Sequence, residues 1–247
     1  MMTPHAPLPV KKRAARALVT GGAIRVGRAI ALALAEAGVE VAISYHRSVG
    51  PARRTADEIE ARGVHGVALR ADLGDPAAAR RLVRDATRAL GGLDVLVNSA
   101  AVFLRTPLAT TTPAQWDGIM ALNLRGVFFC CQAAAAVLPR GGHIVNVGDA
   151  GAGQGWPSYI PYTVSKAGIA ALTHALAVAL RPRRIAVNCV APGPVLRPPD
   201  FPLARWKAVT RDHEGTPEDV AAAVRFFATC PTDITGQILE VDGAASR

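Results

Sequence analysis

Tyr162 and Lys166, in Tyr162-Thr163-Val164-Ser165-Lys166, stand four residues apart, which on a helix puts a phenol and an ammonium on one face. A cation beside a phenol stabilises its anion, lowers its pKa and makes it a usable proton donor or relay. Such a pair recurs by chance, so it gains weight only from company. That company is Asn123, in Ala121-Leu122-Asn123-Leu124-Arg125-Gly126, and the strand-end sequence Asn98-Ser99-Ala100-Ala101.

A second chemistry is written near the N-terminus, where a strand-like run is followed by Thr20-Gly21-Gly22-Ala23-Ile24-Arg25-Val26-Gly27 and a helical pattern. Glycines in such a turn let the backbone approach a pyrophosphate, which the helix N-terminus stabilises with free N–H groups and the positive end of its dipole. Dinucleotide sites that take NAD place a carboxylate about 20 residues on, at the end of the next strand, to accept from the ribose 2′-hydroxyl. Here that place reads Tyr45-His46-Arg47-Ser48, an imidazole, a guanidinium and a hydroxyl that can donate to a 2′-phosphate. NADPH is therefore expected over NADH, with Arg25 as a second nearby cation. The plainer alternative is that Arg47 and Ser48 cap the next helix. Asp72, in Ala71-Asp72-Leu73, is placed either to meet an adenine or to serve as a helix N-cap.

The elements that position these residues are legible as an alternation of strands and helices. Strands are predicted at 17–20, 39–45, 64–69, 93–97, 143–147, 185–190 and 237–241, several of them continuously apolar, as a parallel sheet covered on both faces requires. Helical periodicity marks segments such as 25–37, 76–90 and 160–180. The expected fold is one doubly wound Rossmann-type α/β domain over 16–247, with about seven parallel strands, helices on both faces and ligands beyond the carboxyl ends of the strands. Residues 1–15 are read as a flexible tail without the pattern of a secretory signal.

Composition narrows the function classes. The chain has 247 residues, 50% hydrophobic, and 28 basic against 19 acidic side chains give a net charge of +9. Arginines are spread through nearly every segment, dense only around Lys11, Lys12, Arg13 and Arg16, and aromatics make up just 5%, so no nucleic-acid surface is expected. The apolar stretch from Gly126 to Pro139, between Arg125 and Arg140, falls short of a bilayer span, and no membrane helix is expected. Cys130, Cys131, Cys189 and Cys230 show no CxxC spacing and are read as buried thiols of a reducing, cytoplasmic compartment. The six histidines are scattered, and no structural metal is predicted.

With these motifs assembled, the chain resembles the short-chain dehydrogenase/reductases from about Arg16 to Gly243. The loop 20–27, Asn98-Ser99-Ala100, Asn123, Tyr162 with Lys166, Pro192-Gly193 and the ending Thr235-Gly236-Gln237 with Val241-Asp242-Gly243 match in order. In that family Asn, Tyr and Lys form a proton relay with a Ser thirteen residues before the Tyr; here that position is Asp149. Asp149, Arg25 in place of a loop glycine, His46-Arg47-Ser48, and Phe103 with Thr106-Pro107-Leu108 are similar to the pteridine reductase branch. The resemblance implies that Asp149, Tyr162, Lys166 and Asn123 are catalytic. It implies a cofactor site of Gly21, Arg25, Val26, Gly27, His46, Arg47, Ser48, Asp72, Leu73, Asn98, Ser99, Ala100, Tyr162, Lys166, Pro192, Gly193 and Val195. Arg25, Phe103, Asp149 and Tyr162 would hold the substrate.

The leading expectation is NADPH-dependent reduction of a C=N bond in a pterin or dihydropterin, with a dihydrofolate as a further candidate, stacked on Phe103. A short-chain carbonyl or oxoacyl reductase is the enzyme alternative, and a non-catalytic NADPH-binding protein the third. Ser99, where the family usually has Asn, and Ala101, where the pteridine branch often has Ser, depart from the pattern. The Pro-rich segment 192–216, with Arg197, Phe201 and Trp206, reads as an irregular binding loop. The resemblance also implies a homotetramer, with which the apolar faces of 126–138 and 167–180 are consistent.

Overall fold

The computed structural model describes residues 14–154, 156–198, 201–210 and 214–243. The predicted tail lies outside them as far as residue 13. Seven strands form one parallel sheet: β1 (Arg16–Thr20), β2 (Glu40–Tyr45), β3 (Gly66–Arg70), β4 (Val95–Asn98), β5 (His143–Val147), β6 (Ala186–Pro192) and β7 (Ile238–Val241). Their order is β3-β2-β1-β4-β5-β6-β7, so the winding reverses between β1 and β4. That switch point opens a crevice at the carboxyl ends of the two strands, where Thr20 pairs in register with Asn98.

All seven predicted strands are present, with ends shifted by one or two residues. The run predicted from Val64 begins at Gly66, because Gly63, at φ +80, closes the preceding helix and leaves 64–65 in the connection. The one from Leu93 begins at Val95, after Gly91 and Gly92 have turned the chain out of a helix.

Burial explains why the strand runs are continuously apolar. In β1, Ala17 and Val19 join the core on one face and Leu18 the core on the other, all with no exposed surface. The first face is covered by α1 (Arg25–Glu36), α2 (Val49–Glu60) and α8 (Pro217–Thr229), and the second by α3 (Pro76–Leu90), α5 (Val127–Val137) and α6 (Ile160–Leu180). α4 (Pro113–Met120) runs into α5 through a π-helical turn, Ala121–Gly126, without leaving the helix axis. Gly126 closes that turn under Leu73: a β-carbon there would lie 2.3 Å from the Leu73 carbonyl oxygen.

Two expectations need correction. The segment 192–216 is not irregular throughout, since Leu203–Thr210 forms α7, with Trp206 and Thr210 buried; the prolines before it and the gap in apolar periodicity hid it. The stretches 113–137 and 160–183 are helices long and apolar enough to span a membrane by length and composition, the first because the π-helical turn joins two shorter runs into one. Both pack their inner faces on the sheet, and α6 buries Ser165, Lys166 and Thr173 there. All four cysteines are free and buried.

Candidate active site

The nucleotide end is built by the turn from β1 into α1. Gly21 sits at φ +65, where a β-carbon would press within 2.9 Å of the Ala100 backbone, and a β-carbon on Gly27 would lie 2.3 Å from the Gly21 carbonyl oxygen. The turn therefore closes to this radius only with glycine at both places. Thr20 stitches it to the neighbouring strand, its hydroxyl accepting from the Ser99 and Ala100 N–H groups at 3.0 and 3.1 Å. The N-cap of α1, Ile24, supplies no side-chain hydrogen bond, which leaves the first-turn N–H groups open to an anion.

At the end of β2, His46 and Arg47 are exposed, and Ser48 precedes α2 without a side-chain cap. Ser48 thus does not cap α2 through its side chain, and it is half-exposed. Asp72 lies 3.9 Å from the His46 ring and accepts from the Gly74 N–H at 3.0 Å. It is not the N-cap of α3; Asp75 is, accepting from Ala77 and Ala78. Leu73 is buried beneath this corner.

At the other end of the crevice, β5 delivers Asp149 and α6 delivers Tyr162 and Lys166. Asp149 N-caps a short 3-10 turn, accepting from the Gly151 N–H at 2.8 Å through one oxygen. Its other oxygen accepts from the Tyr162 hydroxyl at 2.6 Å. One turn further along α6, the buried Lys166 ammonium donates to the Val147 carbonyl at 2.8 Å and lies 6.0 Å from the Tyr162 ring centre.

Asp149 is coupled to both of the other groups. Burial raises the Asp149 pKa above the usual carboxylate range, against the Tyr162 hydrogen bond, the Lys166 charge and the Gly151 N–H. Burial and the Asp149 charge push the Tyr162 phenol well up, and burial pulls Lys166 down against the attraction of Asp149. A carboxyl group held neutral more readily than usual, bonded to a phenol, is a two-step proton source.

The predicted relay residue Asn123 has a different immediate role. Its side chain accepts from the Val102 N–H at 2.9 Å and donates to the Val102 carbonyl and to Ser165 at 3.0 and 3.2 Å. Those bonds use both amide N–H groups and one lone pair of the oxygen, tying the segment before Phe103 to the start of α6, and Asn123 is not among the residues lining the cavity. Asn98 is likewise turned inward: it donates to Asn146 and Cys131, and Asn146 donates to Thr173, in a buried network that ties β4 to β5 and α6. Of residues 98–100, Ser99 lines the cavity.

The two ends meet in a cavity of about 290 Å³ lined by Arg25, Ser99, Phe103, Asp149, Tyr162 and Lys166, with Pro192, Gly193 and Val195 on its far wall. Val26 also lines it. Arg25 points across its mouth to the Leu196 and Arg197 carbonyls, not into the turn. Phe103 stacks on Tyr159 with centroids 4.3 Å apart and meets Trp156 and Tyr162 edge-on. Trp156 and Tyr159 escaped sequence reasoning. A bridge between Thr106 and Tyr159, across 53 residues of chain, brings them together, and nothing local signals it.

A family profile described as Enoyl-(Acyl carrier protein) reductase matches residues 22–245. The chain belongs to the short-chain dehydrogenase/reductase family. Among its relatives, a short-chain dehydrogenase/reductase of Hericium erinaceus is 36% identical over 241 residues, covering 92% of this chain and 96% of the relative. A 3-oxoacyl-acyl-carrier-protein reductase of Staphylococcus aureus is 34% identical over 244 residues, with the same two coverages. Of solved structures, a short-chain dehydrogenase from Burkholderia cenocepacia in complex with NADP superposes with TM-score 0.90 at 38% identity, covering 94% of this chain and 98% of that chain. A blue fluorescent protein from a metagenomic library, in complex with NADPH, gives TM-score 0.89 at 36% identity with the same coverage.

Proposed function

We propose that this reductase uses NADPH to reduce the carbonyl of a short oxoacyl or related small substrate. The observation that carries this reading is the Tyr162 hydroxyl on the cavity, backed by buried Lys166 and facing the carboxyl ends of β1 and β4. Relatives named as 3-oxoacyl reductases along 96% of their length add support. NADPH would lie along the crevice, its phosphates at the Gly21–Gly27 turn and its 2′-phosphate at His46, Arg47 and Ser48, and it supplies hydride to the substrate carbon.

The chain's own part is the proton. Tyr162 gives its proton to the substrate oxygen, and Asp149, when protonated, replaces it on the phenol through the 2.6 Å contact, leaving a carboxylate that Lys166 stabilises until solvent returns the proton.

Asp149, where most of the family has Ser, favours a second reading, reduction of a pterin C=N bond, in which the same pair protonates nitrogen. Phe103 would then offer the ring its remaining surface. NADPH oxidation on a 3-oxoacyl thioester and on a dihydropterin separates the two. Turnover of the thioester at a tenth or less of the pterin rate transfers the assignment to the pterin, and turnover of neither overturns both. We also propose that the exposed apolar residues Phe128, Val164 and Val178 on α5 and α6 are covered in a homotetramer working in a reducing, cytoplasmic compartment.

Cofactor choice gives a prediction of its own. Arg47→Ala removes the one guanidinium in the 46–48 triplet, and a charge-assisted hydrogen bond is worth about 1.5–3 kcal/mol. KM for NADPH should rise about ten- to a hundredfold while KM for NADH stays put. Steady-state kinetics with both cofactors decide it, and an unchanged ratio rejects Arg47 as the discriminator.

A further inference from the structure

We propose that Arg25 is a positioning residue which ties the segment roofing Tyr162 to the Gly-rich turn, so that the nucleotide end of the site sets the substrate end. Three observations carry this. Arg25 adopts φ +54, a left-handed conformation that strains any residue with a β-carbon and that glycine adopts freely, so an arginine here needs a compensating contact. That contact is visible: its Nη2 donates to the Leu196 carbonyl at 2.9 Å, and the Arg197 carbonyl lies 3.5 Å from both terminal nitrogens. The planar guanidinium spans two successive carbonyls in a way a point charge does not.

The tie continues beyond residue 197. Arg197 donates to the Phe201 carbonyl at 2.6 Å, the Arg205 guanidinium sits 5.6 Å over the Phe201 ring, and Phe201 meets Trp206 edge-on at 6.1 Å. Phe201 and Trp206, 4% and 6% exposed, pack with Tyr159, which stacks on Phe103. From the turn that would hold phosphate, a continuous chain of contacts therefore leads to the aromatic roof. With Leu196 four residues past β6, Arg25 supplies the lateral anchor that the covalent chain alone does not.

This inference rests on the reading of the turn as the NADPH site, so its test reports on each separately. Intact protein is digested briefly with trypsin, with and without saturating NADPH, and cleavage after Arg205 and Lys207 in α7 is timed by mass spectrometry; Pro198 makes Arg197 itself silent. NADPH binding is read independently from nicotinamide fluorescence. In both conditions Arg25→Gly, which fits the left-handed backbone without strain, should be cut at least about fivefold faster than wild type, as the loss of one charge-assisted contact from a locally opening segment dictates. Arg197→Ala, which cuts the next link, should show the same acceleration with unaltered NADPH affinity. For a substrate that turns over, both variants should raise KM more than they lower kcat. Wild-type cleavage rates in Arg25→Gly overturn the tie, and if its NADPH affinity falls at the same time, Arg25 is a phosphate ligand and nothing more. A wild-type protein that does not bind NADPH overturns the cofactor reading instead, while the cofactor-free digests still judge the tie.

Discussion

Tyr162→Phe should abolish most turnover while leaving NADPH affinity nearly unchanged. The substitution removes one oxygen and keeps the ring that packs edge-on against Phe103, so the cavity holds its shape and only the proton path is lost. General acid catalysis contributes about a hundredfold to ten-thousandfold, and the loss in kcat should fall in that range. Lys166→Ala makes the contrasting case. Its ammonium is the charge that favours the Asp149 carboxylate, and its bond to Val147 fixes the end of β5, so both turnover and cofactor affinity should suffer. Stopped-flow turnover with fluorescence titration of NADPH resolves the two variants; wild-type kcat in Tyr162→Phe would remove the phenol from the mechanism.

Asp149 sets the pH dependence. Its folded pKa is raised, chiefly by burial, and the neutral acid is the form that can reprotonate Tyr162. Turnover should therefore be greatest on the acidic side and decline as pH rises through the folded pKa. Stability carries the same sign: a raised pKa means the fold favours the neutral acid, so this contribution is complete below the unfolded value near 3.9 and disappears as pH climbs past the folded one. Asp149→Ser removes the titrating group, leaves the Tyr162 neighbour a hydroxyl, and should flatten the decline of kcat with rising pH while NADPH affinity is preserved. The rate at mildly acidic pH should drop by about tenfold or more on a substrate that depends on the relay. Superimposable profiles for wild type and Asp149→Ser would make Asp149 a bystander.

The sheet was readable because both of its faces are buried, which forces uninterrupted apolar runs such as Ala17-Leu18-Val19 that no turn could tolerate. Turn and relay residues were readable because their chemistry is tied to short fixed spacings: Gly21 to Gly27, and Tyr162 to Lys166. What stayed hidden depends on contacts between distant residues. The sequence alone does not show that the Asn123 amide is spent on Val102 and Ser165, or that Asn98 turns into a buried network, since an asparagine at a strand end reads the same whichever way it points. Trp156 and Tyr159 reach Phe103 only through a pairing 53 residues apart, and α7 is amphipathic toward a roof rather than toward the sheet.

The π-helical turn at Ala121–Gly126 places a restraint on chain length. It holds one residue more than regular helix would between α4 and α5, and each residue advances a helix by about 100° and 1.5 Å. Removing any one of the six would let the turn relax into plain α-helix, swinging α4, with Trp116, about a quarter of a revolution around the axis of α5 and drawing Asn123 off Val102. Substitutions here act one side chain at a time, whereas a single-codon deletion would reorient a whole helix, so apart from Asn123 and Gly126 this stretch should tolerate changes of letter far better than changes of count.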